Sequence, residues 1–339
     1  MSSRAIVRVT RDCDNACVMC GQAGEPSEAI DLAAIDLAAI EDQLVALRRE
    51  HDELSFVGGE PTLRGEALVE LVARARALGF AAIGLQTNAR QLAATPSLLS
   101  RLHEAGLGDL QLSLHAATPA AHDYQVGRAG SHAAILDVLD RARRRGLTCV
   151  VVSVLTRSSY RELGKLPALL ERQGAAAWLI EWVRPFGRAG ESFARVVPRL
   201  GMALPWALAA LDQARRSGLP AWIRGVPPCT LGPLAAHALA PDARLGEFAA
   251  TCERCSARAH CPGIDPRYRE RFGASELDAR RVAASPAALS PAHARLARMF
   301  VGVGELVASE PPAKHEAGGK HRRLPLLPTP ARSGAESEG

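Results

Sequence analysis

No apolar run in this 339-residue chain approaches the roughly 20 residues that span a bilayer, so the sequence offers no transmembrane helix. The N-terminus, MSSRAIVRVTRDCDNAC, has no apolar core and reaches charge and cysteine almost at once, which argues against a secretory signal. A strong charge of either sign is also lacking. The formal net charge is +5, and residues 311–339 hold five Lys or Arg against three Glu, which leaves a body of only +3. That balance does not mark a nucleic-acid or membrane-surface binder. The same stretch has five Pro, four Gly, no aromatic residue and no periodicity, and is predicted to be a disordered tail whose Lys-His-Arg-Arg cluster is solvated.

Cysteine, by contrast, is present eight times. A chain this long buries enough surface to fold without disulfides. With no export signal its expected location is the cytoplasm, where clustered cysteines read as metal ligands or catalysts.

Up to about residue 217, short β-type runs alternate with helical stretches. The runs are Ala5–Val9, Leu54–Val57, Ala82–Gln86, Leu110–Leu114, Cys149–Leu155 and Trp178–Val183, and helices are predicted over Asp31–Glu50, after Gly59, and over Pro96–Ala105, Ser131–Arg145 and Tyr160–Arg172. Nearly continuous apolar strands in six βα repeats imply an α/β fold with a parallel sheet, either an open doubly wound sheet or a full or partial barrel. In both, the loops at the C-terminal strand ends carry the chemistry. Beyond Arg224 Pro and Gly become frequent, and four cysteines fall between Cys229 and Cys261, as in small units folded around a metal centre. The expected divisions are 1–217, a barrel core; 218–276, a cysteine-rich unit; 277–310, a helical segment with a terminal helix near 287–307; and 311–339, the tail.

Cys13, Cys17 and Cys20 form C-x3-C-x2-C in the loop after the first run. Soft thiolates at this spacing select zinc, copper(I) or an iron–sulfur cluster. Structural zinc wants four ligands, and the first histidine is His51, so three cysteines suit a [4Fe–4S] cluster with one open iron. The loop resembles the signature of the radical S-adenosylmethionine superfamily, with Met19 standing where that family usually has an aromatic residue. Gly58-Gly59-Glu60-Pro61 resembles the family's GGEP motif, with glycines for close backbone approach and Glu60 as an acceptor for an ammonium. Thr87-Asn88 after the third strand, Ser113 on the fourth and Ser153 on the fifth resemble cosubstrate contacts. The resemblance implies a partial (βα)6 TIM-type barrel, a [4Fe–4S] cluster that chelates S-adenosylmethionine, and reductive cleavage to methionine and a 5′-deoxyadenosyl radical that abstracts a substrate hydrogen. It also implies an electron donor such as a ferredoxin or flavodoxin.

Of the other cysteines, Cys149 reads as a packed thiol. Cys229, Cys252, Cys255 and Cys261 make C-x22-C-x2-C-x5-C, a set that completes either a zinc site or a fully ligated [4Fe–4S] cluster. The segment around them resembles the SPASM or twitch extension of radical SAM enzymes, and Arg184-Pro-Phe-Gly-Arg188 resembles the linker that precedes it. Four cysteines are too few for a complete SPASM domain, so one auxiliary [4Fe–4S] cluster is expected. His115 and Glu181 are the candidate catalytic residues: His115 follows the fourth strand, and alternation turns Glu181 toward the barrel interior. Asp123 reads either as a ligand-orienting group or as a helix cap. The expected substrate is a peptide undergoing maturation, or alternatively a sugar, nucleoside or cofactor precursor. A chain whose triad starts at residue 13 has no room upstream for a leader-binding domain, which weakens the peptide reading.

Overall fold

A computed structural model of the chain describes residues 4–21, 37–239, 246–278 and 288–300. The first strand, β1 (Arg4–Thr10), is followed by α1 (Leu37–Arg48), β2 (Glu53–Gly58), α2 (Glu66–Ala77), β3 (Ala82–Thr87), the short α3 (Arg90–Ala94) and α4 (Pro96–Ala105). Then come β4 (Asp109–Ser113), α5 (Pro119–Val126), α6 (Ser131–Arg144), β5 (Thr148–Leu155), α7 (Leu166–Gln173) and β6 (Ala177–Trp182). Two one-turn helices, α8 (Gly187–Glu191) and α9 (Phe193–Val196), lead to α10 (Leu200–Arg216) and β7 (Ala221–Arg224). The described chain ends in α11 (Pro266–Phe272) and α12 (Pro291–Met299). Proline opens α4, α5, α11 and α12, where its missing N–H costs nothing.

All seven strands are parallel and paired in sequence order, β1 to β7. The α/β class and barrel-like architecture hold, with one strand more than the six expected. β7 pairs Trp178–Glu181 with Ala221–Arg224, so the sheet runs past the boundary placed at 217. Its four residues lie beside a Pro-rich stretch and give too short a pattern to read. The helix expected over Tyr160–Arg172 divides into a 3-10 turn, Tyr160–Lys165, and α7. Residues 31–36 of the first expected helix, 279–287 and 301–307 around the terminal one, and the whole of 311–339 lie outside the described residues.

The register fixes which side chains share a face. Val7, Leu54, Phe56, Leu85, Leu110, Leu112, Val151, Trp178 and Ile180 join the helices in the main core. The opposite, concave face carries Arg4, Glu53, Ser55, Gly84, Asp109, Gln111, Ser113, Val152, Glu181 and Arg224, by the pairings of successive strands. A side chain on Gly84 would meet Ser55 Oγ at 2.9 Å, which confirms that these strands bring one face together.

α12 closes the N-terminal end of this concavity. Met299 and Phe300 pack on Val150, Val152, Ala177, Leu179 and Trp222. Arg295 Nη2 reaches Asp109 Oδ1 at 2.8 Å and Arg298 Nη2 reaches Glu53 Oε1 at 2.7 Å. Arg4 also pairs with Asp109, and lies 3.6 Å from Glu53. One helix touching β2, β4, β5, β6 and β7 at once requires the sheet to curl around it.

Candidate active site at the C-terminal strand ends

Residues 11–21 leave β1 and form a loop that the rest of the barrel stitches in place. Gly59 N–H donates to Thr10 C=O at 2.9 Å and Glu60 N–H to Asp12 C=O at 2.7 Å. A Cβ on Gly58 would lie 2.2 Å from Thr10 O, and one on Gly59 would lie 2.1 Å from Asp12 O. The two glycines therefore serve the approach of β2 to the cysteine loop. From α5, Val126 C=O accepts from Ala16 N–H at 2.9 Å and Gln125 C=O from Val18 N–H at 2.8 Å. Arg128 Nε donates to Asp14 C=O at 2.7 Å. Arg90 Nε pairs with Asp14 Oδ2 at 3.0 Å.

Glu60 is the hub behind this loop. Its fully buried carboxylate accepts from Thr62 N–H (3.1 Å), Thr62 Oγ1 (2.5 Å), Thr87 Oγ1 (2.7 Å) and Asn88 N–H (2.6 Å). Burial raises its pKa and these donors pull it back. Glu60 thus braces β2 against β3 and is covered by protein. Pro61 opens the 3-10 turn that presents Thr62. Asn88 carries the brace onward, with Nδ2 2.7 Å from Asp14 Oδ1 and 3.8 Å from Cys13 Sγ. Ala89 beside it adopts φ 68°, alone among non-glycine described residues, a strained backbone that fixes the Asn88 turn.

The remaining expected residues separate by face. Ser113 ends β4 on the concave side, half-buried and opposite Val152. Ser153 does not share that side: it is fully buried, donates to Leu114 C=O and accepts from Trp178 Nε1 at 2.9 Å. This removes Ser153 from the barrel interior, where a cosubstrate contact was expected. His115 Nδ1 accepts from Val154 N–H at 3.1 Å, and its own N–H donates to His122 Nδ1 at 3.1 Å. Burial, then the neighbouring His122, lowers the His115 pKa to about 3, so the ring is neutral and ties β4 to β5. Asp123 caps α6 by accepting from Gly130 N–H (2.7 Å) and His132 N–H (2.9 Å).

Glu181 faces the barrel interior as alternation predicted. Its Oε2 lies 2.6 Å from Arg224 Nε, and Oε1 lies 3.7 Å from Arg184 Nη2. Arg224 Nη1 in turn donates to Phe300 C=O at 2.9 Å, so the floor helix is joined to this pair. Arg224 and Thr62 went unread in the sequence because their roles depend on the fold and no local spacing marks them, whereas Arg128, read beside Asp123 as a ligand-orienting group, holds the cysteine loop through Asp14 C=O.

The three thiols of the loop sense one another. Burial raises the Cys17 pKa, Cys20 and Cys13 add to it, and Arg188 opposes. In the extension, Cys229, Cys252, Cys255 and Cys261 line one small solvent-connected pocket with Phe248 and Arg258. The Cys261 thiol is pushed up to about 11 by burial, opposed by Gly263 N–H, and raised further by Cys229, Cys252 and Cys255. His260 is exposed and lies outside that lining. All eight thiols are free, and Cys149 is buried in the main core. Among the described residues no three His, Cys, Asp or Glu side chains surround a single metal ion. The donor chemistry of the two sets, three thiols in the loop and four in the extension, suits soft centres.

Residues 7–166 match the radical SAM superfamily and form a radical SAM domain. The chain is 31% identical over 202 residues to molybdenum cofactor biosynthesis protein 1 of Mus musculus, covering 56% of this chain and 30% of that protein. It is 28% identical over 191 residues to mycofactocin maturase MftC of Mycobacterium ulcerans, covering 56% and 50%. The chain thus spans half or less of these relatives. Its fold is like that of Streptococcus suis SuiB bound to the precursor peptide SuiA, with TM-score 0.54, 16% identity and coverage of 67% of this chain and 49% of that one. The family implies a [4Fe–4S] cluster and S-adenosylmethionine. No described helix is long and apolar enough to cross a membrane.

Proposed function

We propose that this chain is a radical SAM enzyme that abstracts hydrogen from a substrate peptide, with Cys13, Cys17 and Cys20 as cluster ligands. The observation that carries the reading is the three-cysteine loop, braced by β2, β3 and α5 at the strand ends that rim a polar concavity. When bound, the cluster and S-adenosylmethionine supply one-electron cleavage of a C–S bond to methionine and a 5′-deoxyadenosyl radical. The protein's part is positioning and exclusion of water. Glu60 and Asn88 hold the loop against β3, Ser113 and Glu181–Arg224 line the wall a substrate would meet, and α12 seals the far end. The named maturase and the peptide-bound neighbour support a peptide substrate. A second reading, a cofactor precursor, is supported by the molybdenum cofactor relative.

Anaerobic reconstitution with dithionite and S-adenosylmethionine tests the core claim. The expected products are 5′-deoxyadenosine and methionine in equal amounts, lost in Cys17→Ala; no 5′-deoxyadenosine from a chain with its iron in place would refute it. For the extension we propose one auxiliary [4Fe–4S] cluster on Cys229, Cys252, Cys255 and Cys261, so about eight irons per chain, against about four plus one zinc if that set is a zinc site.

A further inference from the structure

The segment that leaves β6 lies between the two cysteine sets. Arg184 turns back to Glu181, while Pro185 C=O accepts from Arg267 Nη1 of α11 at 2.7 Å. Arg188 turns toward the cysteine loop. Its backbone N–H donates to Cys20 C=O at 3.1 Å, and its Nη1 donates to Cys17 C=O at 3.4 Å. One residue, distant in sequence, thus holds the main chain of two of the three candidate ligands.

Its charge is also set apart from those of Arg90 and Arg64. Arg90 is paired with Asp14 at 3.0 Å, and Arg64 lies 3.9 Å from Asp12. Among the described residues no carboxylate lies within ion-pair distance of Arg188, which is half-buried. A partly desolvated cation beside a thiolate centre favours the more negative redox state, because the added electron is stabilised at short range. Net charge and hydrogen bonding around the sulfurs are the main protein controls on such potentials.

We infer that Arg188 is a positioning residue of the three-cysteine centre whose guanidinium raises the reduction potential of the cluster held there. The backbone bond to Cys20 fixes the turn, and the side chain supplies the charge. This rests on the radical SAM reading above.

The test compares wild type with Arg188→Lys, Arg188→Gln and Arg188→Met, all full-length and reconstituted anaerobically with iron and sulfide. Iron per chain is measured first. A redox titration followed by electron paramagnetic resonance then tracks only the signal that changes when S-adenosylmethionine is added. Iron should stay at the wild-type level, because the backbone N–H survives each substitution. At the wild-type midpoint, Arg188→Gln and Arg188→Met should show about tenfold less reduced relative to oxidised cluster, about 59 mV for a one-electron couple. Arg188→Lys should stay near wild type. Equal midpoints in all four proteins overturn the inference. So does loss of iron from the variants, which would make the side chain a clamp with no electrostatic part. If the wild type itself gives no signal sensitive to S-adenosylmethionine, the radical SAM reading fails and the inference falls with it.

Discussion

Glu60 concentrates four donors on one buried carboxylate, and removing it leaves two amides and two hydroxyls without their acceptor. Glu60→Ala is expected to cost about 3–5 kcal/mol in urea unfolding, with Glu60→Gln clearly milder. A loss below about 1 kcal/mol would show that the hub carries little of the fold. His115 and His122 give a second prediction at this scale. Burial, first, lowers their pKa values from 6.5 to about 3 and about 4. The folded chain then binds fewer protons than the unfolded chain below pH 6.5, so stability falls as pH drops through that range. At pH 5.5 each contributes a loss of about 1.2 kcal/mol relative to pH 7. A His122→Asn chain should show a flatter dependence of Tm on pH between 7.5 and 5. The sequence marked Glu60 and His115 as residues of interest but not what they touch. Glu60 looks inward because Thr62, Thr87 and Asn88 are all aimed at it, and only the folded chain brings β2 and β3 side by side.

Among elements, the strands were readable and the cysteine-loop contacts were not. Runs such as Cys149–Leu155 are apolar on both faces because the sheet is covered on both, a pattern that survives without any tertiary knowledge. The 17-residue α10 went unread, an Ala- and Leu-rich stretch interrupted by Pro205. The reason for Gly58-Gly59 was legible only in kind: close approach was expected, and the partner proves to be the backbone of residues 10–12. Gly59→Ala should therefore act through the loop. With a Cβ 2.1 Å from Asp12 O, the loop must move, and iron bound per chain after reconstitution should fall at least severalfold while circular dichroism stays near wild type. Unchanged iron would mean that the loop tolerates displacement. α12 yields a contrast between its two kinds of contact. Phe300→Ala removes a ring from an enclosed cluster and should cost about 3–5 kcal/mol. Arg298→Ala breaks a part-exposed pair and should cost no more than about 1 kcal/mol. The reverse order in denaturant midpoints would show that charge, not packing, holds the floor.

For the whole molecule, the sheet curls around the floor helix to leave one concavity with the cysteine loop at its C-terminal rim. The change of texture past Arg224 set the cysteine-rich segment apart in the sequence, but the seventh strand and the return of α12 to the barrel were not visible, since both depend on contacts between distant segments. The bracing of the cysteine loop also bears on the order of events during synthesis. Residues 11–21 leave the ribosome before the groups that hold them, which belong to Gly59, Asn88, Val126, Arg128 and Arg188. The loop is made early and completed late: until residue 188 has been translated, its three thiols lack the last of their supports. The contacts of the loop are complete only once residue 188 is in place, so a metal taken up by Cys13, Cys17 and Cys20 would be loaded after folding, not onto the nascent chain.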